Sequence, residues 1–445
     1  MRHDSLAAVP RVQLRHHVHQ ALHRYWPKNG QLPLRLGVVE CQFPVTVHSL
    51  KLVLVPLPEW AAQFGVDASL AVPVEACVDP GQPKWTEVDW WLAAFLMLEA
   101  WHERAWEGAH GVIHSYSWRL ADWDERIWAR AWVNRIGLLL RAWAAVDAGQ
   151  DAVALFGPLP APTIVMTHDV DAVTKTWPIR LKQSAFLSFN AVRQAAKGRP
   201  GAALAHLVEA FNFMIGRGDW WMLEVVLNAE HCAGIRSQFN FYADERPKNL
   251  RRWIFDPGYD IAEPRLRSML VRLAEAGFGV GLHQSYDAWQ SPELMRRQRE
   301  RLQGFARDPV TSCRQHWLRF SWRDTWAAQW EAGFEQDTTL MFNDRPGLRS
   351  ATALNWKPWN SKQGRSHALT ALPTVLMDSH FHDYQSMSPT QRREAYRYWL
   401  DEVVAVGGEA AVLWHPHTLA RDYGWSEGFL ELVAELKGRA ACATS

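Results

Sequence analysis

Two aspartates one residue apart close a short apolar run in TIVMTHDVD (163–171). Carboxylates so placed can divide the work of a metal-dependent hydrolysis, one holding a divalent ion and the other taking a proton from the attacking water. Residue type alone leaves open which of Asp169 and Asp171 would do which. A second apolar run, FGVGLHQSYD (278–287), carries His283, the neutral nitrogen donor that a zinc-like ion favours, and Asp287 four residues on. Positions i and i+4 share a helix face, so His283 and Asp287 could reach one ion. Four more runs end in polar groups: SCRQHW (312–317) with Arg314 and His316, FEQDTT (334–339) with Asp337, LMDSHFHD (376–383) with Asp378, and LWHPH (413–417) with Trp414 and His415. In an extended LMDSHFHD, Asp378, His380 and His382 would share one face and offer a second metal set.

The elements that must position these residues follow from periodicity. Short apolar runs at TIVMTHD, SQFNFYA, FGVGLHQS, VTSCRQHW, EQDTTLMF, LPTVLMD and EAAVLWH alternate with helical patterns within 202–232 and at 264–276, 292–305, 323–332, 389–405 and 426–437. Strands alternating with helices indicate parallel β joined by crossover helices, an α/β fold of the (β/α) barrel kind. Such a barrel gathers its strand-to-helix loops on one face, and the polar groups fall at the C-terminal ends of the expected strands.

The segment before this alternation reads differently. Strand-like LRLGVVE (34–40) and LKLVLVPL (50–57) precede two long amphipathic segments, 88–105 and 126–147, and the prolines of FGPLPAPT (156–163) break the pattern. The expected organisation is an N-terminal α+β accessory domain over 1–155, without a catalytic constellation, and a barrel over 160–440. Most of the 26 tryptophans, as in WWLAAFLMLEAWHERAW (90–106), stand at helical spacing and suit core packing.

Composition narrows the classes of function. The charged groups nearly cancel, to a formal net charge of +1, so no long-range field favours a nucleic acid or an anionic membrane. Five scattered cysteines without a CxxC argue against a disulfide framework or a cysteine zinc site. MRHDSLAAVPRVQLRHH lacks a continuous apolar core of the secretory kind, and no stretch is apolar enough to span a bilayer, so a cytoplasmic location is expected.

These motifs, in this order, resemble those of the polysaccharide deacetylases, carbohydrate esterase family 4, and in particular a divergent branch that reads HDVD, then GLHxSY, behind an N-terminal domain. THDVD (167–171) stands where the family has Thr-Phe-Asp-Asp, GLHQSYD (281–287) where it has His-Ser/Thr-x-x-His, and SCRQHWLRF (312–320) at its Arg-x-Pro-aromatic motif. GFEQDTTLMFND with GLR (333–349) falls near the fourth motif, and VLWHPH (412–417) resembles the closing Leu-x-x-His. The resemblance implies a distorted (β/α) barrel and one divalent ion, commonly zinc. It implies Asp169 as general base, Asp171 and His283 as metal ligands, Arg314 as the partner orienting the base, and His415 as general acid. Asp287 replaces the second metal histidine, and Val170 separates acids that are adjacent in the family. His316, Asp337, Asp378 and Trp414 are the expected substrate-binding residues, His316 doubling as a spare ligand or acid.

The implied reaction removes an acyl group from an N-acylated sugar, or cleaves another non-peptide C–N bond. Two readings compete with it: a carbohydrate-binding protein on a lapsed hydrolase scaffold, and a glycosidic-bond hydrolase pairing Asp169 with Asp378 or Asp337.

Overall fold

The apolar runs and the helical patterns between them fold as parallel strands and crossover helices. The computed structural model describes residues 6–28, 36, 39–46, 49–385 and 387–443. The strands are β1 (Leu52–Pro56), β2 (Ser69–Pro73), β3 (Thr163–Val170), β4 (Gln238–Phe241), β5 (Gly279–Gln284), β6 (Ser312–Gln315), β7 (Gln336–Asp337), β8 (Trp359–Asn360), β9 (Arg365–Ser366), β10 (Thr370–Ala371), β11 (Thr374–Met377) and β12 (Glu409–Trp414). β1 and β2 pair antiparallel, as do β8 and β9. The other eight form one all-parallel sheet in the order β10-β7-β6-β5-β4-β3-β12-β11.

The two edges of this sheet are consecutive in the chain. Only Leu372 and Pro373 lie between β10 and β11, and consecutive Cα atoms are about 3.8 Å apart, so the edges lie within about 11 Å. A flat eight-stranded sheet would hold them about 34 Å apart. The sheet is therefore rolled into a (β/α) barrel, distorted at a seam that the chain itself crosses. Leu372 N donates to Asp337 O (2.9 Å) on one side of the seam, and Ala411 N donates to Pro373 O (2.8 Å) on the other.

The crossover helices begin where the chain says they should. Pro292–Gln303 has Pro in its first turn and Ser291 as its cap, and Pro389–Ala405 opens with a Ser388/Gln391 capping box. Pro264–Glu275 buries Leu266, Met269, Leu270 and Leu273, a stripe at helical spacing turned onto the sheet. The helical patterns do not include Trp177–Ala196, which forms a hairpin with Pro200–Ile215 between β3 and β4, nor the short Leu250–Phe255 after β4.

Before β3, the expected long helix at 88–105 is two, Trp90–Leu98 and Trp101–His110, broken at Ala100 in a left-handed conformation (φ 42°). The second amphipathic segment is helical over Trp132–Ala148. The strand expected at 34–40 falls largely outside the described residues. Trp90, Trp91 and Trp101 are fully buried, as their spacing implies, in a hydrophobic core that continues into the barrel. Polar pins cross the same boundary: Tyr25 Oη donates to Val406 O (2.7 Å), Asn134 Nδ2 to Ala353 O (3.0 Å), and Arg349 pairs with Glu103 at 2.7 Å, both side chains buried. Among the described residues no helix is long and apolar enough to cross a membrane.

Candidate active site

β3 explains why the two aspartates are spaced by one. Alternate residues of a strand face opposite sides, so Thr167 and Asp169 turn into the barrel while His168 turns out, bridging Trp414 O (2.9 Å) and Glu230 Oε1 (2.8 Å). Val170 is fully buried in the core. Asp171, just past the strand end, returns to the inner side, and both acids line a cleft of about 400 Å³ at the C-terminal mouth of the barrel.

Asp169 is held from three neighbouring strands. Its Oδ1 accepts from Asn240 Nδ2 (2.8 Å) on β4 and Arg314 Nη1 (3.3 Å) on β6, and its Oδ2 lies 3.6 Å from His283 Nδ1 on β5. Burial alone would raise its pKa. The charges of His283, Arg314 and His415 and the Asn240 amide outweigh burial and hold it below the usual carboxylate value. Asn240 is a residue the sequence reading missed. Ladder register sets Asp169 beside Asn240 and Asn240 beside Gly281, and a Cβ at Gly281 would come within 2.4 Å of Asn240 Oδ1. Glycine there makes room for the amide that orients the acid, a link visible only once strand register is known.

Arg314 is fully buried and ties the barrel together across its axis. It donates to Thr167 Oγ1 (2.8 Å), Thr338 O (2.9 Å) and Thr374 Oγ1 (3.0 Å) as well as to Asp169. The guanidinium thus stands in the place expected for a partner of Asp169.

Among the described residues, Asp171, His283 and His316 bring ligand atoms within 4.8 Å of one another. Asp171 Oδ1 lies 3.0 Å from His283 Nε2 and 3.3 Å from His316 Nδ1, and the two imidazole nitrogens are 2.6 Å apart. His316 Nε2–H donates to Phe255 O (2.7 Å), which leaves Nδ1 with its lone pair turned toward Asp171. Asp171 Oδ1 is buried without a hydrogen-bond donor. One carboxylate oxygen and two imidazole nitrogens suit a zinc-like divalent ion, and the orphaned oxygen is what such an ion would satisfy. Burial would raise the Asp171 pKa, but His316 and His283 hold it well below the ordinary value.

The third member of this cluster is not the one expected. Asp287 lies in a turn after β5, where Arg319 Nη1 and Arg251 Nη2 each approach its Oδ1 at 3.1 Å. β5 ends at Gln284 and the chain turns away, so His283 and Asp287 never share a helix face. His316, expected as a substrate contact or a spare ligand or acid, lines the cleft and faces His283 because β6 lies beside β5, with His283 paired to Arg314.

Across the cleft, His415 Nδ1 donates to Asp378 Oδ1 (2.8 Å) and its Nε2 lies 3.7 Å from Asp171 Oδ2. Burial would lower the His415 pKa, but the carboxylates of Asp378, Asp171 and Asp169 push it up to about 10. Asp378 is fully buried behind it and also accepts from His415 N (2.9 Å) and Thr418 Oγ1 (3.2 Å). Asp378 therefore lines the cleft but spends its oxygens on His415.

Two expected groove residues lie elsewhere. Asp337 is fully buried behind the strands, accepting from Trp326 Nε1 (3.0 Å), Gln329 Nε2 (2.8 Å) and Thr339 Oγ1. It does not line the cleft, so it cannot pair with Asp169 across a glycosidic bond. Trp414 is also fully buried, its ring against Phe429 and His382, because as the last residue of β12 it falls on the outward side with His168. The second metal set also fails to form. His380–Tyr384 is a π-helical turn, His380 Nε2 donates to Phe342 O (2.9 Å), and His382 stacks on Trp425. The aromatic walls of the cleft are Phe186, Trp253, Phe255, Trp317, Tyr384, Tyr423 and Trp425.

No family model matches the sequence, and no curated protein matches it. Solved structures do. The chain is similar to a protein of Mycobacterium smegmatis assigned as a polysaccharide deacetylase, at 18% identity and a TM-score of 0.36, over 62% of this chain and 88% of that one. It is similar to a family 4 carbohydrate esterase from Streptomyces lividans in complex with acetate, at 10% identity and a TM-score of 0.28, over 63% of this chain and 88% of that one. A mutant pseudoenzyme of that esterase family with restored enzymatic activity matches at 10% identity and a TM-score of 0.29, over 63% of this chain and 64% of its own.

Proposed function

We propose that this chain is a metal-dependent hydrolase that removes the acyl group from an N-acylated sugar, with Asp171, His283 and His316 holding one divalent ion, zinc by its donor set. A bound ion of this kind supplies Lewis acidity, polarising the acyl carbonyl and making water easier to deprotonate. The observation that carries the reading is the convergence of that donor set with an oriented carboxylate on one side and, on the other, an imidazole bonded to a buried carboxylate. Asp169, its Oδ1 held by Asn240 and Arg314, keeps Oδ2 free to take the proton of the attacking water. His415 presents Nε2–H to the leaving nitrogen, which must depart protonated. Asp378 holds the His415 ring and its charge. The aromatic walls offer flat apolar faces to a sugar ring. In this reading residues 1–155 buttress the barrel mouth.

The test is acetate release from N-acetylglucosamine oligosaccharides by zinc-loaded protein beside Asp169→Asn. Turnover is expected in the wild type and a loss of at least roughly a hundredfold in the variant, with metal content unchanged. Zinc-loaded wild type that binds the oligosaccharides without releasing acetate would leave a sugar-binding protein on this scaffold.

A further inference from the structure

We propose that the helical hairpin Trp177–Ala196 and Pro200–Ile215 docks the protein on an anionic phospholipid bilayer. The apolar surface of these helices is largely turned to solvent. Trp177, Phe189, Val192, Leu204, Phe211 and Ile215 are 57–66% exposed. In the first helix Trp177, Leu181, Phe189 and Val192 recur every three, four or eight residues and in the second Leu204, Leu207, Val208, Phe211 and Ile215 do the same, so each helix carries a single apolar stripe. Packing inward falls to Ser184, Ala191, Ala203, Ala210 and Phe213, which are buried, and to Ile179 and Leu187, which are half-buried against the core. A hairpin that served only to cover the barrel would not also turn a second set of large apolar side chains to solvent.

Charge selects the occupant. From Asp171 to Glu209 the intervening chain carries Lys175, Arg180, Lys182, Arg193, Lys197 and Arg199 and no acid at all. Lys175 is paired with Asp422 (2.9 Å), Lys182 lines the cleft and Arg180 donates to Met214 O and Gly216 O, so the surplus offered to solvent is that of the tip. Arg193, Lys197 and Arg199 crowd the hairpin tip and are exposed there. An apolar stripe flanked by cations is what an amphipathic helix lying in an anionic membrane interface presents, its apolar face buried and its basic groups among the headgroups. A second copy of the chain would set the same cations against one another.

The placement also has a sense relative to the cleft. At 100° per residue Trp177, Leu181 and Val192 lie across the helix from Ile179 and Phe186, which line the cleft, and Phe189 stands at the border, on the same side as the cleft-lining Lys182. Docking by the outer stripe therefore sets the mouth of the barrel beside the bilayer surface.

The full chain is sedimented with vesicles of phosphatidylcholine alone or with phosphatidylglycerol, at low and high salt, and its mass is followed by light scattering. The expected result is binding at least about tenfold tighter to the phosphatidylglycerol vesicles and weakened by salt. A Phe189→Ser, Val192→Ser, Phe211→Ser variant and a Lys197→Glu, Arg199→Glu variant should each lose about tenfold in binding while melting as the wild type does. The changed side chains are exposed, so folding is spared. Absence of binding, equal binding by both variants, or a wild-type dimer that the serine variant dissolves into monomers would overturn the proposal, the last by giving this face to a second copy.

Discussion

His415 and Asp378 are joined twice: the ring Nδ1–H of the histidine donates to Oδ1 of the aspartate at 2.8 Å and its backbone N–H donates to Oδ2 at 2.9 Å. The double tether fixes the ring so that Nε2 faces the cleft, and the buried carboxylate helps push the His415 pKa up to about 10. A group whose pKa is raised holds its proton below that value and loses it as pH rises through it. As general acid, His415 must be protonated, so the alkaline limb of kcat is expected above the ordinary histidine range in the wild type, held there by the Asp378 carboxylate. Asp378→Asn keeps a side chain of the same size and removes the charge. Its alkaline limb should move toward the ordinary histidine range, with activity at pH 8.5 down roughly ten- to a hundredfold and activity at pH 6 much less affected. A pH–rate profile decides it, and an unmoved limb would exclude His415 as the proton donor.

The third ligand separates His316 from Asp287. Elemental analysis after zinc loading should find the metal lost from Asp171→Ala, His283→Ala and His316→Ala and kept near one equivalent in Asp287→Ala. Asp287 is engaged with Arg319 and Arg251 at the surface, so its loss should shift stability by no more than about 1 kcal/mol. Retention in His316→Ala with loss in Asp287→Ala would reverse the assignment.

Gly281→Ala tests the positioning of the base without touching it. The added Cβ would meet Asn240 Oδ1 at 2.4 Å and displace the amide that donates to Asp169. Both Gly281→Ala and Asn240→Ala should lower kcat roughly tenfold or more with KM and metal content near wild type, because they disturb an oriented acid rather than a binding contact. Unchanged kcat in both would mean that Arg314 alone orients Asp169.

How much of this was legible in the chain depends on the range of the interaction. Alternation of apolar runs with helices is local, and it located the strands carrying Asp169, His283, Arg314, Asp378 and His415 and the face on which they meet. What sits beside what is set by register between strands far apart in sequence. Hence residue type and spacing do not point to Asn240, leave His316 open between substrate contact, ligand and acid, and suggest for Asp287, four residues from His283, a reach that the end of β5 denies it. Trp414 was assigned to the groove although strand alternation puts it on the side opposite its neighbour Leu413, a cleft residue, so that error could have been avoided from period two alone. The helix at 177–196 left a signal too, with proline at its start and apolar residues every three or four positions, but its large side chains face outward and do not read as a core stripe.

The loop that presents His316 is held in a costly conformation by one residue of the barrel, Asn343, and one from outside it, Ser115. Trp317 and Leu318, neither of them glycine, are both left-handed, at φ 57° and 46°, a cost of order 1–3 kcal/mol each. Their carbonyl oxygens are clamped: Asn343 Nδ2 donates to Trp317 O (2.9 Å), and Ser115 Oγ donates to Leu318 O. Arg349, paired with Glu103, donates to the same Ser115 hydroxyl (3.1 Å). Ser115→Ala removes the clamp on Leu318 without touching the cluster, so His316 should lose its fixed orientation more than the fold loses stability. Zinc affinity, measured by competition with a chelator, is expected to fall about tenfold, in the range found when a group supporting a metal ligand is removed. The melting temperature without metal should shift by only a few degrees, as for one lost hydrogen bond of about 1 kcal/mol. Wild-type affinity in this variant would mean that Phe255 O and Asn343 hold the His316 loop unaided, and that the N-terminal residues stabilise the barrel without tuning its site.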